Sequence, residues 1–465
     1  LAFTGASALV RPLLAAGCAC LLLTGCGGGT AGRPASARPV TAPPSGAPAT
    51  PSPSGSTPAY SGPALPGLAA HPIALVKAPL AGVPYPVGDS FVTIDFTLAA
   101  TGTGSSNPGQ LTFYSAATGR QIATAQVPFY GTAQVGDFNG TPAIFVHGTE
   151  VTASDGLSTA GSVEHEVGFD ASGHKVTDLS WPTSEARTGL AGWSATTAKS
   201  PGAPQLVIYD QDGSARLTLP ADQTGYVPLE PELLDIVDGV ALVDHSRPSA
   251  GGSGTDHYLA AYDLTHPGDP LWTSDSARPA GITSATPRLC FTSGATIGLL
   301  WPAGGGKDVL AVQDVHTGAV KGATPLIAPS STLDGTPPEA DNVQSDEAVL
   351  AFAEGNPASS VAVSLTDGHV IWQQSAGQQA FTPMVVVGGV AYGSSPSSPT
   401  RSSGVYTRAS LAVDLHTGRV AADNLPTAPL SATDNGYALV PDEPSDRPDD
   451  GDPIGYWIFK AAAHG

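Results

Sequence analysis

From about residue 70 to the end, the chain is a succession of short apolar runs, alternating or β-branched, each bounded by Gly, Asp, Asn or Pro. Alternation with a period of two is the mark of a half-buried strand, and no stretch keeps the apolar period of a long helix. The pattern predicts an all-β fold.

A turn recurs along these strands. In Ala412-Val413-Asp414-Leu415-His416-Thr417-Gly418 a strand enters apolar, Asp414 and Thr417 can hydrogen-bond the exposed amides, and Gly418 can take the positive φ that closes the turn. Close relatives end at Gly318, which follows Asp314, and at Gly368 and Gly119. Looser copies end at Gly268, Gly213 and Gly173. The closing glycines recur roughly every 50 residues, a period that signals a propeller or solenoid.

Each unit also holds an apolar strand opening at a Gly/Asp/Asn/Ser break, as at Gly88-Asp89-Ser90-Phe91, Asp238-Gly239-Val240, Gly388-Gly389-Val390 and Asn435-Gly436-Tyr437. The last of these opens a unit after Gly418, so eight units are expected, with seven as the alternative. That last unit lacks room for its final strand, and the run Pro72-Ile73-Ala74-Leu75-Val76-Lys77 is available to supply it. Pairing first and last strands would close the ring and remove its open edges. The expected fold is a single propeller of four-stranded antiparallel blades over residues 68–465.

Two segments precede it. Arg11 is followed by an apolar run from Pro12 to Leu23, too short to span a bilayer and typical of a signal peptide over residues 1–25. Leu23-Thr24-Gly25-Cys26 resembles the lipobox of bacterial lipoproteins, which implies a diacylated Cys26 and durable membrane anchoring. Residues 26–67 are Gly, Pro, Ser, Thr and Ala with almost no large apolar side chains, a composition that predicts a disordered stalk. Cys18 and Cys20 would leave with the signal peptide, so Cys290 would be the one remaining thiol. It reads as a small buried hydrophobe.

Charge narrows the partners. With 19 Lys and Arg against 40 Asp and Glu the formal net charge is -21, which disfavours nucleic acid. The 56 Gly, 44 Pro and single Met suit a turn-rich chain and a high-GC Gram-positive source.

The repeat resembles that of the quinoprotein-dehydrogenase-like (PQQ-like) β-propellers, approximately Ala-x-Asp-x-x-Thr-Gly-x-x-x-Trp, over nearly all of residues 70–465. Its best copies are Ala362 to Gly368 with Trp372, and Ala412 to Gly418 with Ala422 in the Trp place. Trp272 follows the copy at Asp263, while Ala123 and Gly322 stand in the Trp place elsewhere. The resemblance implies that Trp272 and Trp372 pack between neighbouring blades. It does not extend to the quinone: the vicinal cysteines that hold the cofactor in family members are missing from the mature chain, and no cofactor is expected.

Other candidate chemistry reduces to turns and loops. Gly88-Asp89-Ser90 falls at a repeat landmark rather than in an esterase block, and Gly304-Gly305-Gly306-Lys307-Asp308 lacks P-loop spacing. Asp137-Phe138-Asn139-Gly140 reads as a β-turn rather than a calcium loop, and the acidic run 442–452 as a solvated insertion. His316 and His416 share one turn position in two repeats, and no metal site is expected.

The expected protein is therefore a monomeric lipoprotein on the outer face of the cytoplasmic membrane, without a catalytic motif. Its propeller would bind an envelope protein or a cell-wall ligand. The alternative is a propeller enzyme, hydrolase or quinone/sugar dehydrogenase-like, with its site at the central channel mouth.

Overall fold

The computed structural model describes residues 59–77, 83–96, 108–152, 161–185, 187–199, 204–223, 228–249, 254–284, 286–303, 307–329, 343–344, 347–352, 359–375, 378, 381–394, 410–442 and 455–462. The signal peptide, Cys26, most of the stalk and most of the acidic insertion lie outside them.

Eight four-stranded antiparallel sheets follow one another along the chain as the blades of a propeller. Blades 1 to 7 span 85–127, 131–182, 188–220, 232–273, 288–329, 343–373 and 382–425, each with its strands in sequence order. Blade 8 takes three strands from the C-terminus, Ser431–Ala432, Tyr437–Pro441 and Tyr456–Lys460, and its fourth, Ala74–Val76, from the N-terminus. Ala74 pairs with Ile458 and Val76 with Tyr456. The first strands of blades 1 and 2, 4 and 5, 6 and 7, and 7 and 8 lie against one another, and so do those of blades 8 and 1, where Ser431 Oγ donates to Pro84 O at 3.3 Å. The ring is closed as expected from the missing last strand. A two-stranded ribbon, Asp222–Gln223 with Pro228–Leu229, lies between blades 3 and 4.

The core is divided among the blade seams, because each sheet is apolar on both faces and buries each face against a neighbour. One seam joins Val87, Leu111 and Phe113 of blade 1 to Ile144, Val167 and Phe169 of blade 2. Another joins Leu242, Leu259 and Trp272 of blade 4 to Leu299, Trp301 and Ala311 of blade 5.

The turns explain the seam geometry. Gly119, Gly173, Gly213, Gly318, Gly368 and Gly418 take positive φ. Gly268 does not: its loop is longer, Asp263 Oδ1 accepts from Thr265 N and His266 N, and Pro267 precedes the glycine. The turn at Asp414 follows the sequence reading, with its Oδ1 accepting from Thr417 N at 2.8 Å and Thr417 Oγ1 at 2.9 Å. Asp314 and Thr317 repeat both bonds.

Gly119, Gly173, Gly318, Gly368 and Gly418 also meet the preceding blade, while Gly213 and Gly268 face open space. A Cβ on Gly318 would lie 2.7 Å from Trp272 Cγ, one on Gly173 2.6 Å from Ala123, and one on Gly418 would overlap Trp372. Trp272 Nε1 donates to Val315 O of blade 5 at 2.7 Å. The small residues in the Trp place thus occupy the same seam position as the tryptophans. His316 and His416 likewise reach a preceding blade, pairing with Asp238 at 2.9 Å and Glu347 at 3.8 Å.

Candidate functional site

Antiparallel strands sort the connections of every blade onto two faces. Links between first and second strands, and between third and fourth, emerge on one face. They are short: Gly88-Asp89, Asn139-Gly140, Ala191-Gly192 and Asp238-Gly239 form two-residue turns, joined by the Asp-x-x-Thr-Gly turns. Links between second and third strands, and from one blade to the next, emerge on the other. There the strands are separated by 96–108, 330–342, 395–409 and 442–455. The molecule therefore has a turn-bearing face and a loop-bearing face, and binding residues concentrate on loops held by a rigid scaffold.

One polar cluster in blade 2 and one in blade 4 lie toward the loop-bearing ends of their strands, whereas those at Asp170 and Asp210 lie on the turns. In blade 2, His165 bridges Glu150 (Nδ1 to Oε2, 3.1 Å) and Asp178 (Nε2 to Oδ1, 2.6 Å). Phe96 and the exposed Tyr130 form an aromatic pair with centroids 4.9 Å apart at the junction of blades 1 and 2.

In blade 4 a buried array runs from the inter-blade ribbon into the sheet. Asp222 Oδ1 is 2.8 Å from His245 Nδ1, Asp222 Oδ2 accepts from Ser246 N at 2.7 Å, and His245 Nε2 is 2.9 Å from Tyr262 Oη. The carboxylate fixes the imidazole proton on Nδ1, which leaves Nε2 to accept from the phenol. Burial pushes the Tyr262 phenol up to about 12, so it stays a donor. At 6 % exposure Tyr262 is positioned to hold the ribbon against blade 4 rather than to meet a substrate.

Arg247 continues the same edge. It lies 5.1 Å from the Tyr258 ring, which itself stacks on His245, and its guanidinium grips both oxygens of Asp275. Arg278 adds a second bond to Asp275 at 2.9 Å and donates to Thr283 O at 2.7 Å. The Arg247 hydrogen bond holds the Asp275 carboxyl below the usual carboxylate range. These charges are paired and held, which suits recognition more than proton transfer.

Toward the ring axis, β-bulges interrupt the first strands of blades 4, 5 and 7 at one equivalent position, occupied by Leu234, Cys290 and Met384. Leu234 and Met384 are exposed, while Cys290 is buried in the seam of blades 5 and 6, where burial pushes its thiol up to about 12. Among the described residues no group of three or more His, Cys, Asp or Glu could hold a metal ion, and no helix is long and apolar enough to cross a membrane.

The sequence-predicted residues and this face do not coincide. Gly119, Gly173, Gly213, Gly318, Gly368 and Gly418, with Asp314 and Asp414, lie on the turn-bearing face; Trp272 and Trp372 lie in the seams. Asp222, His245, Tyr262 and Arg247 escaped the sequence reading because their partners are 17 to 28 residues away, without motif spacing.

No family model matches the chain, and no curated protein matches it by sequence. Solved structures do resemble it. BamB from Moraxella catarrhalis is 14% identical, with 85% of this chain and 98% of that chain covered and a TM-score of 0.38. A europium-containing methanol dehydrogenase is 11% identical, over 78% and 83% of the two chains, with a TM-score of 0.37. AztD from Citrobacter koseri is 16% identical over 75% and 94%, with a TM-score of 0.33. Likeness at this level assigns no function, and the fold rests on the strand pairing itself.

Proposed function

We propose that the protein is a lipid-anchored extracytoplasmic lipoprotein whose propeller is a binding platform, presenting its loop-bearing face to another envelope protein or a cell-wall ligand. The supporting observation is the sorting of the connections onto two faces, short turns on one and long separations between strands on the other. The closing strand Ala74–Val76 starts at the turn-bearing face, and the residues before it pack into the seam of blades 7 and 8. Tyr60 meets Trp457 and Phe459 edge-on at 5.6 and 5.0 Å, the Tyr392 hydroxyl donates to Pro66 O, and Ala462 N donates to Gly67 O at 2.8 Å. Binding residues concentrate on loops held by a rigid scaffold, so the face with the long connections is the one offered to a partner.

This reading needs no cofactor and no bond chemistry. It is tested by in-cell cross-linking and affinity purification of the tagged lipoprotein from membranes, with a Cys26→Ala secreted control. Recovery of one envelope protein or glycan with the anchored form supports it. Recovery of nothing above the control counts against it and favours the enzyme alternative.

A further inference from the structure

The seam between blades 2 and 3 contains a fully buried acid. Glu166 lies on strand Gly161–Asp170, directly opposite His147 on strand Thr141–Thr152, with no exposed surface. Its Oε1 accepts from Gly192 N of blade 3 at 2.8 Å, and its Oε2 has no hydrogen-bond partner. There is no room for relief: a Cβ on Gly189 would collide with Oε2 and sit 3.3 Å from His147 Cδ2.

The turn gripped by this bond is itself strained. Ala191 takes φ 47°, the left-handed conformation that costs a side-chain-bearing residue energy and that Asn, Asp or Gly usually fills in such two-residue turns. A single carboxyl contact from the neighbouring blade therefore helps hold an unfavourable turn in place.

We infer that this seam is a proton-controlled joint: the neutral Glu166 acid closes it on Gly192, and ionisation of that acid loosens blade 3 from blade 2. A carboxylate would bind the Gly192 N–H more strongly than the acid does, but burial of the charge outweighs that gain, and the carboxyl is pushed up to about 7. The charged groups on the packed elements do not reverse this. His147, stacked on Trp181, is held below its ordinary range by burial and faces Glu164 at 3.5 Å. Arg187, just before the first strand of blade 3, is paired with Glu185 and stacked on Tyr209. Strand Lys175–Pro182 turns Thr177, Leu179 and Trp181 toward the seam, none of them ionisable in this range.

The test is hydrogen exchange on the full chain, with intrinsic pH effects removed. Between about pH 5.5 and 8.5, protection of 188–196 should fall roughly 30-fold if opening exposes the acid, whereas Glu166→Gln should remove that response. Segments 296–314 and 347–352 in blades 5 and 6 should not respond in either protein. Equal pH responses in the wild type and in Glu166→Gln, or a response of the same size in blades 5 and 6, would overturn the inference. Should Glu166→Gln fail to fold, carboxyl NMR of the wild type decides: a Glu titrating near 7 supports the joint, and ordinary titration of every Glu refutes it.

Discussion

Ala74, on the strand that closes the ring, stands against Gly119 on the third-to-fourth-strand turn of blade 1, so closely that a Cβ on Gly119 would overlap its own. The same relationship recurs between Ala123 and Gly173, Trp272 and Gly318, Gly322 and Gly368, and Trp372 and Gly418. The N-terminal strand thus takes both the fourth-strand place of blade 8 and the seam contact of a fourth strand. Deleting residues 68–80 should remove both and expose the edge at Tyr456–Lys460. The melting temperature should fall by on the order of 5 °C or more; an unchanged melt would contradict the closure.

The closing glycines separate backbone strain from seam contact. Gly213 and Gly418 both have positive φ, but only Gly418 faces a neighbour, Trp372. Gly213→Ala should cost about 1 kcal/mol from conformation alone. Gly418→Ala should cost about 1–3 kcal/mol more, because the indole must shift. Urea unfolding of the two variants measures the difference, and equal losses would argue against the seam role.

Asp222 carries the link between the ribbon and blade 4. Asp222→Ala would strand the buried His245 N–H and the Ser246 amide together, at a cost of about 2–4 kcal/mol. A loss below about 1 kcal/mol in denaturant unfolding would mean the array contributes little.

Cys290 should be inert to thiol reagents in the folded protein and react only on unfolding, since its thiol is buried and pushed up to about 12. Labelling of the native mature chain at the rate of a free thiol would refute its placement.

Stability should also depend on pH through Glu166. Its folded pKa of about 7 exceeds the ordinary glutamate value of 4.5 that the unfolded chain keeps, so the unfolded state loses its proton first as pH rises. The contribution is whole below about 4.5 and is lost as pH passes 7, amounting to about 3 kcal/mol by pH 9. Urea unfolding at pH 5 and 9 should show this loss in the wild type and not in Glu166→Gln.

How much was legible follows from where each partner lies in the chain. The blades could be read because each closing turn is local: Asp414, Thr417 and Gly418 satisfy one another within a few residues. The closing strand could be read because the last unit was one strand short. Gly268 misled because a longer loop kept the aspartate but not the glycine's conformation. Glu166 and the Asp222 array were invisible because their partners come from another blade or ribbon, and alternation says which face a residue takes, not what meets it. The bulges at Leu234, Cys290 and Met384 escaped because each adds one residue without a sequence mark.

The central claim is that an anchored propeller offers its loop-bearing face to a partner. The most direct test places a photo-cross-linking amino acid at Tyr130 or His257 on that side, and at Thr366 on the turn-bearing side, in the anchored chain and in Cys26→Ala. The expected result is a discrete adduct from Tyr130 or His257 in the anchored protein, weaker in the secreted form and missing at Thr366. Adducts from Thr366 alone, or equal adducts from both faces, would contradict it.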